Sequence, residues 1–159
     1  MAEFLSVTER LWRVRAMSVG PTRDQRYFGA RMLQRSAELL PGVPVGWLVR
    51  GLELVHPPRD AIAASRVGWV VGAAFVASDG ELMATLVIDS ERIQRGLERL
   101  ERAGRLRRQG VSVAFDPDGL AVREHPHWAD IMDARRVLGL DFVSRPAMPG
   151  ACVLEAIRS

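Results

Sequence analysis

Three histidines supply the side chains best suited to proton transfer in this sequence. They are His56, His125 and His127, and imidazole is the natural base near neutral pH. His56 ends an apolar run and is followed by Pro57 and Pro58, which would fix the backbone at the exit of a strand. Such a rigid exit is a good mount for a catalytic base, although a histidine that simply hydrogen-bonds at a loop start has the same pattern.

A serine and an aspartate in other apolar segments complete a possible nucleophilic site. Ser112 lies among small and apolar residues two positions after Gly110, and this glycine would allow a backbone or substrate to approach closely. Asp141 interrupts the apolar run Val137–Val143, where a carboxylate is costly unless it is paired. A serine nucleophile needs a base and a group that orients the base, and Asp141 is a candidate for that third role. The alternative for Asp141 is an edge-strand aspartate that faces water.

The remaining reactive side chains are weaker candidates for a functional site. His125-Pro126-His127 has the spacing of a metal pair, but the chain lacks the further histidine or cysteine ligands that a zinc site needs. Cys152 is the single cysteine and sits in an apolar Ala-Cys-Val-Leu setting, which predicts a small core residue and excludes an internal disulfide. We therefore expect neither a metal nor a cofactor.

The elements that must position these residues alternate between strand and helix patterns. The clearest helix is Ser90–Ala103, with Ile93, Leu97 and Leu100 as its buried stripe. Its wet face offers three i,i+4 pairs: Glu91–Arg95, Glu98–Arg102 and Glu101–Arg105. A second helix is expected over Asp24–Leu40. Strands are expected at Phe4–Met17, Val111–Phe115 and Leu120–Arg123, with a hairpin from Val67–Phe75 and Leu82–Ile88 and a mixed last element over Ile131–Val143.

Length and composition place these elements in one soluble domain covering residues 1–159, of class α+β. We predict a mostly antiparallel, barrel-like sheet surrounded by a few helices. All 22 basic residues are arginine against 19 acidic ones, so the pI of 10.3 reflects the absence of lysine and does not argue for nucleic acid. No secretory signal is expected from the acidic start, and the longest apolar stretch, Val67–Ala77, is too short to cross a bilayer.

Three blocks of this sequence together resemble the prohead (head-maturation) proteases of tailed bacteriophages, which share a fold with herpesvirus assemblin. In that family a catalytic histidine precedes proline, as in His56-Pro57, and the serine lies in a Gly-aliphatic-Ser strand, as in Gly110-Val111-Ser112. An Asp-apolar-Val-x-x-Pro-Ala block follows near the C-terminus and matches residues 141–147, with Pro-Gly-Ala at 149–151. The resemblance covers about residues 27–151. One departure is Val113-Ala114, where many relatives carry Arg-Gly.

This resemblance implies a serine endopeptidase in which Ser112 is the nucleophile, His56 the base and Asp141 the orienting group. Assemblins use a second histidine as the third member, so His125 and His127 are competitors for the role of Asp141. The oxyanion would be stabilised by backbone amides near Ser112, with Arg66 and Arg145 as candidates to hold a water there.

The same resemblance implies what such a chain acts on and where. Its substrates would be the scaffolding protein and the major capsid protein, inside the procapsid that assembles in the host cytoplasm. Self-association would suit the high local concentration there, and neither a membrane nor nucleic acid is expected as a partner. Relatives often cut after an acidic residue, which one of the many arginines could hold, and trimming after Glu155 would follow such a rule. The alternative is a non-catalytic head component or scaffold-binding component that keeps this fold, because a fold can persist without its chemistry.

Overall fold

The computed structural model describes residues 10–157 and contains about 24% helix and 45% strand. Within these residues there are three α-helices: α1 (Ala30–Leu39), α2 (Ile62–Ser65) and α3 (Glu91–Arg102). Short 3₁₀ turns cover Arg59–Ala61, Leu106–Arg108 and Pro117–Gly119. The strands are β1 (Leu11–Ser18), β2 (Gly20–Pro21), β3 (Arg26–Phe28), β4 (Pro44–Gly46), β5 (Leu48–Arg50), β6 (Glu53–Val55), β7 (Arg66–Val70), β8 (Phe75–Val76), β9 (Glu81–Ile88), β10 (Gly110–Phe115), β11 (Leu120–Glu124), β12 (Ala129–Ala134), β13 (Val137–Val143) and β14 (Cys152–Ile157).

Seven of these strands close into a barrel, which confirms the predicted barrel-like sheet. The order around the ring is β1-β14-β10-β13-β4-β7-β9, and β9 pairs back onto β1. Every neighbouring pair is antiparallel except β13 and β4, which run parallel. A four-stranded sheet (β11-β12-β3-β2) and the β5–β6 hairpin lie outside the ring. Closure removes the free sheet edges that would otherwise pair with other chains.

Alternating apolar residues fill the barrel interior. The inward residues of β1 and β9 include Trp12, Val14 and Leu86, and those of β13 are Leu140 and Phe142, all fully buried. Helix α3 packs beside this core through Ile93 and Leu97, which are buried as predicted, while Leu100 is partly buried against the core. Cys152 is also buried, as expected from its apolar setting.

The cap of α3 comes from Ser90, whose hydroxyl accepts a hydrogen bond from the backbone N–H of Ile93. Of the predicted pairs on its wet face, Glu91–Arg95 forms. Glu98 instead lies 3.8 Å from Arg10, which also bonds Glu101. The charges of this helix are thus partly used to tie it to the segment before β1.

Two predicted elements have different bounds. The helix expected from Asp24 begins only at Ala30, because Arg26–Phe28 forms β3 and pairs with β2 and β12. The position of Phe28 fits the apolar face of a helix, but its segment pairs with β12, which lies far along the chain and could not be identified from local spacing. The mixed element at the end is two strands, β12 and β13, with a break between Ala134 and Val137. The strand expected from Phe4 is described from Leu11 onward; its start lies outside the described residues.

The hairpin expected over residues 67–88 forms with an interruption. Both β7 and β8 pair antiparallel with β9, and Gly72 breaks the strand between them with a positive φ of 67°. Gly68 lies where β9 approaches closely, since a Cβ there would be 2.1 Å from the Val87 carbonyl oxygen. Within residues 10–157, no helix combines the length and the apolar character that crossing a membrane requires.

Candidate active site

Ser112 and Asp141 are direct partners on the neighbouring antiparallel strands β10 and β13. Directly opposed residues project to the same side of a sheet, and Asp141 alternates with the inward-facing Leu140 and Phe142. Ser112 and Asp141 therefore project from the outer face of the barrel. Loops cover this face, so that the two residues are only 7% and 5% exposed.

Glycine at position 46 makes room for the Asp141 carboxylate. Gly46 is the partner of Asp141 on the parallel strand β4, and a Cβ there would lie 2.4 Å from Asp141 Oδ1. It would also lie 3.0 Å from Pro57 Cγ. Any side chain at this position would have to push the carboxylate or the proline aside. Gly46 is thus a positioning residue that the sequence pattern alone did not single out.

His56 reaches this carboxylate from the β5–β6 hairpin. Its Nδ1 lies 2.6 Å from Asp141 Oδ2, and the two residues are 85 positions apart in the chain. The aspartate side chain is 6% exposed and the histidine side chain 40% exposed, so the ring covers the carboxylate and presents its other edge outward. An ionised carboxylate only accepts hydrogen bonds, so Nδ1 carries the proton and Nε2 is left as the basic nitrogen.

Two hydrogen bonds between Leu54 and Ser144 fix the hairpin that carries His56. The Leu54 N–H donates to Ser144 Oγ at 2.8 Å, and the Ser144 N–H donates to the Leu54 carbonyl oxygen at 3.0 Å. The neighbouring Arg145 pairs with Glu53 at 3.1 Å. These contacts join the residue two places before His56 to the residue three places after Asp141. They set the separation of the two side chains that meet.

The hydroxyl of Ser112 is accessible from a cavity that His56 also lines. Within residues 10–157, the Ser112 hydroxyl forms no hydrogen bond. In the same residues, Arg13 Nε is the one side-chain nitrogen or oxygen that is both fully buried and without a partner, so the Ser112 oxygen is not fully buried. The Ser112 oxygen therefore keeps solvent-accessible surface. A serine hydroxyl that shares a cavity with a histidine, whose other nitrogen is held by a buried carboxylate, supplies the groups that nucleophilic attack on an electrophile requires.

Gly110 explains why two of the motifs occur together. A Cβ at Gly110 would lie 2.5 Å from Pro146 Cγ and 2.7 Å from the Val143 carbonyl oxygen. The close approach expected at this glycine is made by the segment that follows β13, which packs over the start of β10. The glycine before Ser112 and the proline after Asp141 are thus two sides of one contact.

The other histidines lie elsewhere. His125 Nε2 is 3.0 Å from Asp130 Oδ2, within the β11–β12 hairpin, and the same carboxylate accepts hydrogen bonds from Arg123 and from Trp128 Nε1. The Arg123 hydrogen bond, followed by the one from His125, holds the pKa of Asp130 below its usual value. Neither His125 nor His127 contacts Asp141. In the described part of the chain, no three His, Cys, Asp or Glu side chains cluster as metal ligands would.

The two arginines suggested for an oxyanion water are engaged elsewhere. Arg66 bonds Asp89 at 2.7 Å and stacks over Trp69, and Arg145 pairs with Glu53. Neither arginine lines the cavity that Ser112 lines. Among the described arginines, Arg26 lines it. Sequence reasoning overlooked Arg26, because it was assigned to a helix and in fact lies on β3.

Comparisons of the chain with protein-family models, with curated proteins and with solved structures find no match.

Proposed function

We propose that this protein is a serine endopeptidase with Ser112 as nucleophile, His56 as general base and Asp141 as the group that orients the base. The supporting observation is the 2.6 Å contact of His56 Nδ1 with a buried carboxylate whose cross-strand neighbour is Ser112, which lines the same cavity as His56. Nucleophile, base and orienting carboxylate are the three roles that acyl transfer requires, and they are recognised by geometry on unrelated folds.

The chemistry would proceed in two balanced steps. The Ser112 oxygen bonds to a peptide carbonyl carbon while His56 Nε2 takes the hydroxyl proton. The C–N bond of the substrate then breaks, the proton passes to the leaving amine, and an ester to Ser112 remains. Water, deprotonated by the same nitrogen, adds to the ester carbonyl, and the acid product leaves as Ser112 regains its proton. Throughout, Asp141 stays ionised and stabilises the imidazolium.

The substrate class that we propose is the internal proteins of a tailed-bacteriophage procapsid, namely the scaffolding protein and the major capsid protein. The support is the resemblance of three sequence blocks to head-maturation proteases, together with the mutual contact of those blocks. His56 meets Asp141, Gly110 meets Pro146, and Ser112 pairs with Asp141. A barrel with this site on its outer face is also compatible with an assemblin-like fold. The protease would then act within the assembling procapsid in the host cytoplasm, where a high local concentration of the chain favours self-association.

One observation favours a second candidate, a non-catalytic head component that has kept the protease fold. In the described part of the chain the Ser112 hydroxyl makes no hydrogen bond, including none to His56. Catalytic hydrogen bonds are often long in unliganded enzymes and shorten only with substrate, so the endopeptidase remains the better-supported function.

A fluorophosphonate probe tests this choice directly. We expect it to add one phosphonyl group at Ser112, observed by intact-mass and peptide mass spectrometry, and we expect Ser112→Ala to abolish the addition. His56→Ala should reduce labelling strongly, whereas His125→Ala, its matched control, should label as the natural protein does. Folded protein that carries no label at Ser112, and that does not process co-expressed capsid and scaffolding proteins, would support the non-catalytic component.

A further inference from the structure

The cavity shared by Ser112 and His56 has walls that are mainly hydrocarbon. Its volume is about 390 Å³, at the small end of the range of ligand pockets, roughly 300–1,000 Å³. Its apolar lining includes Met17, Phe28, Phe115, Leu120, Leu138 and Met148. Apolar walls favour a guest that leaves water without needing hydrogen-bond partners.

The charged groups at this cavity offset each other. Arg26 and Asp24 both line it, and Arg26 Nε lies 3.5 Å from Asp24 Oδ2. Both side chains are about half exposed, and Asp24 is held in addition by the Thr22 hydroxyl. An acidic or a basic side chain in the cavity would therefore meet one group of opposite charge and one group of like charge, so neither is favoured.

The walls of the cavity are joined before any guest arrives. The Arg23 N–H donates to the Ala147 carbonyl oxygen at 2.7 Å, which links the turn before β3 to the segment after β13. The rings of Phe28 and Phe115, which both line the cavity, pack with their centroids 6.0 Å apart. A cavity whose lining segments are tied together is preformed, and this lowers the ordering cost of binding.

We propose that this cavity is the primary specificity pocket and takes a large apolar side chain, such as leucine, methionine or phenylalanine, from the residue next to the bond that Ser112 cleaves. This inference rests on the proposed endopeptidase function. It assigns the cavity to apolar side chains and not to the acidic residues that the resemblance suggests.

The test is a set of quenched fluorescent peptides that differ only in the residue before the scissile bond. We expect kcat/KM at least tenfold higher for leucine, methionine and phenylalanine than for glutamate or arginine. Filling the cavity with Ala147→Leu should lower kcat/KM for the phenylalanine peptide about tenfold more than for an alanine peptide. Ala74→Leu, at another partly buried alanine that does not line the cavity, should leave the ratio as it is.

Labelling of Ser112 by the fluorophosphonate separates the two ways of failing. If Ser112 labels but the peptides show a preference for glutamate that Arg26→Gln removes, the apolar pocket is wrong and the endopeptidase stands. A preference for arginine in a labelled enzyme overturns the pocket likewise. If folded protein neither labels nor cleaves, the proposed function falls and the pocket falls with it. Should Ala147→Leu fail to fold, Leu120→Trp fills the same cavity from another wall residue and serves as the variant.

Discussion

The part of the chain that the structure describes contains two hydrogen-bonded histidine–aspartate pairs, and the two differ in their surroundings. His56 bonds Asp141 through Nδ1, and the carboxylate side chain is 6% exposed and neighboured by Ser112. His125 bonds Asp130 through Nε2, and that carboxylate also accepts hydrogen bonds from Arg123 and Trp128. A histidine beside a carboxylate is thus not enough to define a base. Whether such a histidine can act as a base depends on which ring nitrogen the carboxylate does not bind, and on the groups that surround that nitrogen.

The two pairs also differ in what holds them together. His125 and Asp130 are five residues apart in one hairpin, so local structure suffices to join them. His56 and Asp141 are 85 residues apart and meet only because the barrel is formed and the hairpin is tied to Ser144. The His125–Asp130 contact needs only its own hairpin, whereas the His56–Asp141 contact needs the complete fold.

The largest expected difference between the pairs is in activity on removing a carboxylate charge. Asp141→Asn should lower kcat by about 10⁴-fold, the loss known for the equivalent change in a well-studied serine protease, because an amide holds the wrong imidazole tautomer. Asp130→Asn should leave kcat within about twofold, a change worth roughly 0.4 kcal/mol or less. Steady-state cleavage of a common peptide measures both. Equal losses in the two variants would mean that the wrong pair has been assigned to catalysis.

A second prediction concerns the space that Gly46 leaves for Asp141. Gly46→Ala places a Cβ against the carboxylate oxygen, and a displacement of about 1 Å can cost on the order of 10²-fold in rate. The expected result is a fall in kcat with the fold retained, checked by circular dichroism. Gly96→Ala is the control: nothing lies within 4 Å of a Cβ there, and the helix interior should gain up to about 1 kcal/mol. Unchanged kcat in Gly46→Ala would show that the carboxylate position does not matter.

A smaller effect is expected from the contact that holds the His56 hairpin. Ser144→Ala removes the acceptor of the Leu54 N–H, a hydrogen bond worth about 1 kcal/mol, or roughly fivefold in the equilibrium constant for docking of the hairpin. Activity should fall by at most about that factor, and Ser144→Thr, which keeps the hydroxyl, should restore it. Labelling of Ser112 should slow in parallel. A variant with threonine as slow as the one with alanine would rule out the hydrogen bond as the cause.

The smallest expected effect is the pH dependence of the local pair. Hydrogen bonds from Arg123 and then His125 lower the pKa of Asp130, so this carboxylate stabilises the fold above its unfolded-state pKa and loses that contribution as the pH falls through its lower folded-state pKa. Asp130→Asn should therefore have a slightly lower urea midpoint than the natural protein at pH 7, with the difference shrinking below about pH 4. A difference that stays constant down to acid pH would contradict the linkage.

The parts of this fold that could be predicted from the sequence are those with a local cause. Helix α3 carries its own cap at Ser90 and its own apolar stripe, and its bounds were predicted to within a residue at each end. By contrast, Arg26–Phe28 is a strand because β12, about a hundred residues later, pairs with it. Strand β14 was not predicted, since its six residues have no strict alternation and its partners β1 and β10 are distant in sequence.

The candidate site divides in the same way. Residue chemistry singled out His56, Ser112 and Asp141, because a base, a hydroxyl and an interrupting carboxylate are visible in the sequence. It could not choose which histidine meets Asp141, since that depends on the Leu54–Ser144 contact. Gly46 and Arg26 were overlooked, because a glycine that clears space and an arginine on a cavity wall have meaning only once the strands are in register.

The closing of the ring by β1 has a consequence for the order of synthesis. Leu11 pairs with Ile157 on one side and with Val87 on the other, so the first strand of the ring is completed by the last. A chain emerging from the ribosome can pair β1 with β9 early, but both β1 and β10 keep an open edge until residue 157 has been made. Long-range pairing of this kind folds slowly, and open edges invite pairing with other chains. The edges of β1 and of β10, the strand that bears Ser112, therefore stay open to other chains until β14 is available to pair with both.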